Sequence, residues 1–369
     1  MNAPHLNRHK LYFSPLAERR NKIVISRDCV RPSDEPGELS SETDAVLDTA
    51  VAKLWEAQRL QRPRVLAFGA HAVKNGLAPV IIELIRSGWI THLATNGAGV
   101  IHDWEFAYQG ASSEDVRTNI AEGKFGMWEE TGFNINLALV IGAYQGRGYG
   151  EAVGSFIAGN GMEIPADEEL VQAISAISSV SESSACYKAA AAADLLGLKR
   201  DMNLPDGTIE VQHPWHNYSV QKAAFDGGVP CTAHPMFGHD IIYTHPMNCG
   251  AAIGRTAERD FLSFATTISQ LENGVYLSVG SAVMSPMIFE KAFSMARNLA
   301  VQKGESITDH TIIVVDLAKN SWDWSKGEPP VDRPEYYMRY CKTFNRMGGD
   351  MHYASADNRD FLLSLLHRL

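Results

Sequence analysis

From Arg64 onward the chain alternates short apolar runs with helical segments: RVLAFGA, then NGLAPVIIELIRSG, then ITHLATNGAG. Runs of that length with no polar alternation suit strands buried on both faces, and an intervening helix is what parallel neighbours require. The rhythm returns in GGVPCTAHP, HDIIYTHP, GVYLSVGSAV, a helix around PMIFEKAFSMARNLA, and TIIVVDL. The expected fold is α/β, a doubly wound, Rossmann-like parallel sheet. Residues 1–63 are polar and mixed apart from one amphipathic helix over 44–59, and read as an N-terminal arm. Residues 64–369 read as a single domain.

In such sheets ligands collect at the carboxyl ends of the strands, where turns and helix N-termini present N–H groups. Two turns have the small residues that close backbone approach needs: Asn96, Gly97, Ala98 and Gly99 after ITHLAT, and Gly280 and Ser281 after GVYLSV. Asp316, ending TIIVVD, with Ser355 and Ala356 of the tail, completes the expected cofactor set. A glycine string at 146–150 follows NLALVIGAY, but it lacks GxGxxG spacing, and the stretch before it reads equally as a helix.

With 43 acidic against 33 basic residues and a net charge of -10, the chain lacks the basic footprint of a nucleic-acid binder. No run approaches the ~20 apolar residues of a membrane span, and there is no apolar leader at the start. Five scattered cysteines without a CxxC pair suggest neither a disulfide framework nor a zinc ribbon, and fit a reducing cytoplasm. His213, His216, His234, His239 and His245 cluster in sequence, but without HxxxH or HExxH spacing no metal is expected. No GxSxG elbow is present for a serine hydrolase.

Several segments, in order, resemble deoxyhypusine synthase: Lys74-Asn75-Gly76, the turn at 95–100, GGVPCTAHPMFGHDIIY, LSVGSAVMSP, and RPEYYMRYCK followed by HYASAD. The resemblance implies a homotetramer that binds NAD, oxidises an amine and passes its aminoalkyl group through an imine on Lys342. It also implies an amine site with Asp240, Ser285, Asp323, Glu328, Glu335 and Tyr340. The chain departs from that family where paired glutamates give way to Ile101 and His102, a histidine to Ser285, a tryptophan to Tyr340 and an aspartate to Ser355. The alternative on the same fold is an NAD-dependent dehydrogenase or lyase with His102 or His239 as acid or base, since neutral imidazole suits that task. A non-catalytic nucleotide- or metal-binding protein is the third reading.

Overall fold

A computed structural model describes residues 4–179 and 183–369, and in it the apolar runs form one six-stranded parallel sheet. Its strands are β1 Arg64–Phe68, β2 His92–Thr95, β3 Cys231–Ala233, β4 Val275–Val279, β5 Thr311–Asp316 and β6 Asp350–Ser355. They lie in the order β3-β2-β1-β4-β5-β6. Along β1, Leu66 pairs with Leu93 and Leu277, and Phe68 with Thr95 and Val279.

The pleat sends alternate side chains of β1 into two different cores. Leu66 and Phe68 join one with Leu47, Leu54, Ile81, Leu84 and Phe361, from the helices Ser41–Arg59, Ala78–Arg86 and Asn358–Arg368. Val65 and Ala67 join the other with Phe264, Phe289, Phe293 and Phe344, from Gly250–Ile268, Met284–Gln302 and Arg339–Arg346. Helices on both faces make the sheet doubly wound, as expected. The arm's helix begins at Ser41, three residues before the expected start, because Ser40 accepts the Thr43 N–H as its N-cap.

Between β2 and β3 the chain makes a long excursion, mostly helical. It includes Gly97–Gln109, Glu129–Gln145, Tyr149–Gly159 and Ser183–Asp201. Asn21–Val24 of the arm pairs antiparallel with Ala111–Glu114 of this excursion. The open edge of β3 is covered from two sides: Asp260 Oδ2, on the later helix Gly250–Ile268, accepts the Ala233 N–H, and Gly150 of the excursion packs against the Cys231 carbonyl.

Two segments differ from the sequence reading. HDIIYTHP does not form a strand but a 3-10 turn at Ile241–Thr244, because the chain leaves the sheet after Ala233. RPEYYMRYCK is not a tail over the sheet edge: it belongs to the β5-to-β6 crossover, ending in the helix Arg339–Arg346. No helix among the described residues is long and apolar enough to cross a membrane. All five cysteines are free thiols.

Candidate functional site

The strand order makes β1 and β4 neighbours whose outgoing chains diverge, which opens a crevice at their carboxyl ends. Each strand there ends in a glycine. The Gly69 N–H donates to the Val279 carbonyl, and a Cβ on Gly69 would stand 2.1 Å from the Gly280 carbonyl oxygen. Gly280 has φ +58, in the left-handed region, and any side chain there would meet Asn358.

The neighbouring turns are as tightly built. Asn96 Oδ1 accepts the Gly99 N–H at 2.9 Å, capping the helix Gly97–Gln109. Ser281 Oγ accepts the Ser285 N–H at 3.1 Å. Asp316 Oδ1 accepts from Ala318 N, Ser355 Oγ donates to the Ala318 carbonyl, and Ala356 N donates to the Asp316 carbonyl. The expected cofactor residues Asn96, Gly97, Ala98, Gly99, Gly280, Ser281, Asp316, Ser355 and Ala356 therefore share the carboxyl edge of β2, β4, β5 and β6. A cavity of about 290 Å³ at that edge is lined by Leu317, Ser355, Ala356 and Asp357 with Glu38, Leu39 and Ser40 of the arm. Sequence reasoning missed Gly69, because FGAHAV carries no glycine pattern and only the strand order makes its turn central.

Beside this edge His102 is held by a chain of buried polar groups. Arg19 donates from both terminal nitrogens to Glu105, at 2.7 and 2.6 Å. Thr131 Oγ1 donates to Glu105 Oε1 at 2.9 Å, and Ser112 Oγ to Glu105 Oε2 at 2.6 Å. Burial pushes the Glu105 pKa up, but the Arg19 charge and hydrogen bonds outweigh it and hold the carboxylate ionised below its usual range. The hydroxyl proton of Ser112 being used on Glu105, its oxygen must accept from His102 Nδ1, 2.7 Å away. That assigns the proton to Nδ1 and leaves Nε2 as a lone-pair acceptor. Burial lowers the His102 pKa to about 4; Glu105 opposes this, while Lys74, Arg19 and His71 add to it. The imidazole is neutral at pH 7.

The other expected site residues are held by contacts of their own. Ser285 is buried, bonded to Tyr276 OH at 2.9 Å and Ser278 Oγ at 2.8 Å. Lys342 faces its own crossover: Nζ lies 3.5 Å from Glu328 Oε2 and 3.5 Å from the centroid of the Tyr336 ring. Glu328 also pairs with Arg346, Asp323 with Ser325, Glu335 with Ser321, and Tyr340 with Tyr353. The contacts of Lys342, Glu328, Asp323 and Glu335 fold the β5-to-β6 crossover on itself, whereas Tyr340 reaches Tyr353 of β6 and lies beside Asp316. His239 is exposed on the loop after β3, next to Asp240. Burial raises the Asp240 pKa to about 6, opposed by His239.

The glycine string at 146–150 lines a cavity of about 480 Å³ beside the amino end of β3. The amide end of its helix is already taken by Asp260 Oδ2, which accepts the Gly150 N–H, so a phosphate there would meet a carboxyl group. Two of the clustered histidines are spent on packing. His213 sits among the rings of Trp104, Tyr108 and Phe156, while His234 bonds Thr232. Among the described residues no three His, Cys, Asp or Glu side chains group as metal ligands.

No protein-family model matches this chain, and no curated protein does. A conserved LOR/SDH protein from Methanococcus maripaludis S2 is similar over 92% of this chain and 73% of its own, at 11% identity and a TM-score of 0.44. ArgZ, an arginine dihydrolase from the ornithine-ammonia cycle in cyanobacteria, is similar over 88% of this chain at 12% identity and a TM-score of 0.40. The ternary complex of AgrE with ornithine and NAD+ is similar over 90%, at 12% identity and a TM-score of 0.43. The chain spans 32% of the ArgZ chain and 34% of the AgrE chain. At these identities and scores the likenesses assign it no activity, ligand or partner.

One expectation is corrected here. The resemblance to deoxyhypusine synthase does not hold: no family model matches, and the similar structures are of LOR/SDH, ArgZ and AgrE proteins. The shared segments are mostly small-residue turns at strand ends, which any sheet of this build needs. Aminoalkyl transfer through an imine on Lys342 loses its basis with that resemblance.

Proposed function

We propose that this chain is an NAD-dependent oxidoreductase acting on a small molecule that carries an N–H or O–H on the carbon to be oxidised. One observation carries the reading: strand order β3-β2-β1-β4-β5-β6, with glycines closing both strands at the point where the order reverses. The residues there fit a dinucleotide. Gly69 and Gly280 let backbone approach a pyrophosphate. Ser281, Ser355 and Ala356 keep the edge narrow in bulk and polar.

When bound, NAD+ supplies the hydride acceptor. The proton released with that hydride goes to His102 Nε2, the nitrogen that the Ser112 hydrogen bond leaves unprotonated. As His102 gains charge, Glu105 compensates it through Ser112, with Arg19 keeping Glu105 in place. Lys74 and Arg19 disfavour the protonated imidazole, so that it returns to its neutral form between turnovers.

The test is titration with NAD+ followed by incubation with amines, amino acids and hydroxy acids, read by NADH absorbance. Saturable NAD+ binding, with NADH formed from at least one substrate class, is the expected result. Absence of binding at about 1 mM NAD+, the upper end of ordinary KM values, overturns the reading.

A further inference from the structure

In sheets of this strand order a dinucleotide's adenosine ribose meets a carboxylate near the end of β2, which accepts hydrogen bonds from the 2′-hydroxyl. Here β2 closes on Thr95 and Asn96, neither of them acidic, and Asn96 Oδ1 is committed to Gly99 N. An acid reaches the same place from the neighbouring loop. Ala233, the last residue of β3, pairs with Thr95, so the chain leaving β3 passes beside the β2 turn. That chain carries Asp240. A Cβ on Gly97 would stand 2.1 Å from Asp240 Oδ2 and 2.6 Å from its Cγ. The carboxyl group therefore fills the space where a side chain of residue 97 would begin.

Asp240 Oδ2 is buried and has no hydrogen-bond partner among the described residues. Leaving a buried acceptor without a donor is costly, and a ligand hydroxyl would satisfy it. The phenols of Tyr149 and Tyr243 are near enough to interact electrostatically with Asp240, and their hydroxyls are also buried and without partners. Three oxygens at the end of β2 thus await a polar group. We infer that Asp240 accepts the 2′-hydroxyl of the adenosine ribose and thereby selects NAD over NADP. The sequence reading placed Asp240 with the substrate; its position against Gly97 assigns it to the cofactor. A 2′-phosphate in that position would replace a hydroxyl donor by an anion facing a carboxylate. The inference rests on the dinucleotide-binding reading above.

The experiment measures equilibrium binding of NADH and NADPH by fluorescence, without turnover, for the wild type, Asp240→Asn and Gly97→Ala. Circular dichroism verifies the fold of each. The wild type should bind NADH at least about tenfold more tightly than NADPH. Asp240→Asn should weaken NADH by roughly tenfold to a hundredfold, the range for losing a hydrogen bond to a charged group, and bring the two nucleotides close to parity. Gly97→Ala, whose Cβ must displace the carboxyl group, should reproduce the loss of preference with Asp240 intact. Equal binding of both nucleotides by the wild type, or an NADH preference that survives in Asp240→Asn, overturns the role of Asp240 and leaves the oxidoreductase standing. If the wild type binds neither nucleotide, both readings fall.

Discussion

His102→Gln is expected to lower kcat/KM by roughly 10²–10⁴-fold, the usual contribution of a positioned general base, while NAD+ affinity changes by less than about twofold. Glutamine keeps a polar amide near Ser112 but supplies no nitrogen that can accept a proton at neutral pH. The pH profile adds a second readout. Because burial holds the imidazole pKa to about 4, the free enzyme already has an unprotonated base at pH 5, and activity should not inflect near the ordinary histidine value of ~6.5. Ser112→Ala frees the ring to adopt either tautomer, so it should reduce kcat more than it alters KM. Turnover by His102→Gln at near the wild-type rate would sink this assignment and turn attention to the exposed His239.

The second large effect is acid lability. His92 and His234 are held neutral with pKa values of about 3, and His102, His213 and His310 with values of about 4, in each case chiefly by burial. Unfolded, each returns to ~6.5. Between those values the unfolded chain binds protons that the folded chain refuses, so this stability is complete above pH ~6.5 and is lost as pH falls toward 4. Asp240 and Asp260, raised by burial to about 6 and about 7, act in the opposite sense, since they keep protons when folded and release them on unfolding. Asp103, also raised by burial, and His245, lowered by it, act in opposite senses. Near pH 5, five imidazoles less two carboxyls leaves three protons taken up on unfolding. At 1.36 kcal/mol per proton and pH unit that is roughly 4 kcal/mol per unit. Two to three such units below pH ~6.5 remove about 8–12 kcal/mol, comparable with a total stability of about 5–15 kcal/mol, so cooperative unfolding is expected at about pH 3.5–4.5. Tryptophan fluorescence and circular dichroism against pH measure it. A native spectrum at about pH 3.5 would show that the buried histidines are better solvated than their surroundings imply.

The sheet was legible because its strands are buried on both faces and so read as unbroken apolar runs such as RVLAF and TIIVVD. Their order was not legible. β3 follows β2 only after the long helical excursion, and nothing local distinguishes the centre of a parallel sheet from its edge. For that reason Gly69 escaped notice while Gly97 and Gly280, in more conspicuous turns, did not. DIIYTHP has the composition of a strand but follows a loop that leaves the sheet, so long-range geometry overrode local pattern. His102 stood out as a residue, whereas its partners did not: Arg19 comes from the arm, Glu105 from the next turn of the same helix, Ser112 from the strand Ala111–Glu114 and Thr131 from the helix Glu129–Gln145, and folding brings them together. RPEYYMRYCK suggested a reactive lysine because short motifs were weighed without their partners. Glu328 and Tyr336 give Lys342 a place in the crossover instead.

The central claim is that a dinucleotide lies across the carboxyl ends of β2, β1 and β4. Amide hydrogen exchange with and without saturating NAD+ tests it most directly, because it reports the backbone that the ligand covers and requires no substrate. Slowed exchange is expected in residues 69–72, 97–100 and 280–284, with the glycine string at 146–150 unchanged. Protection confined to 146–150, or exchange at all three turns unaltered by NAD+, would contradict it.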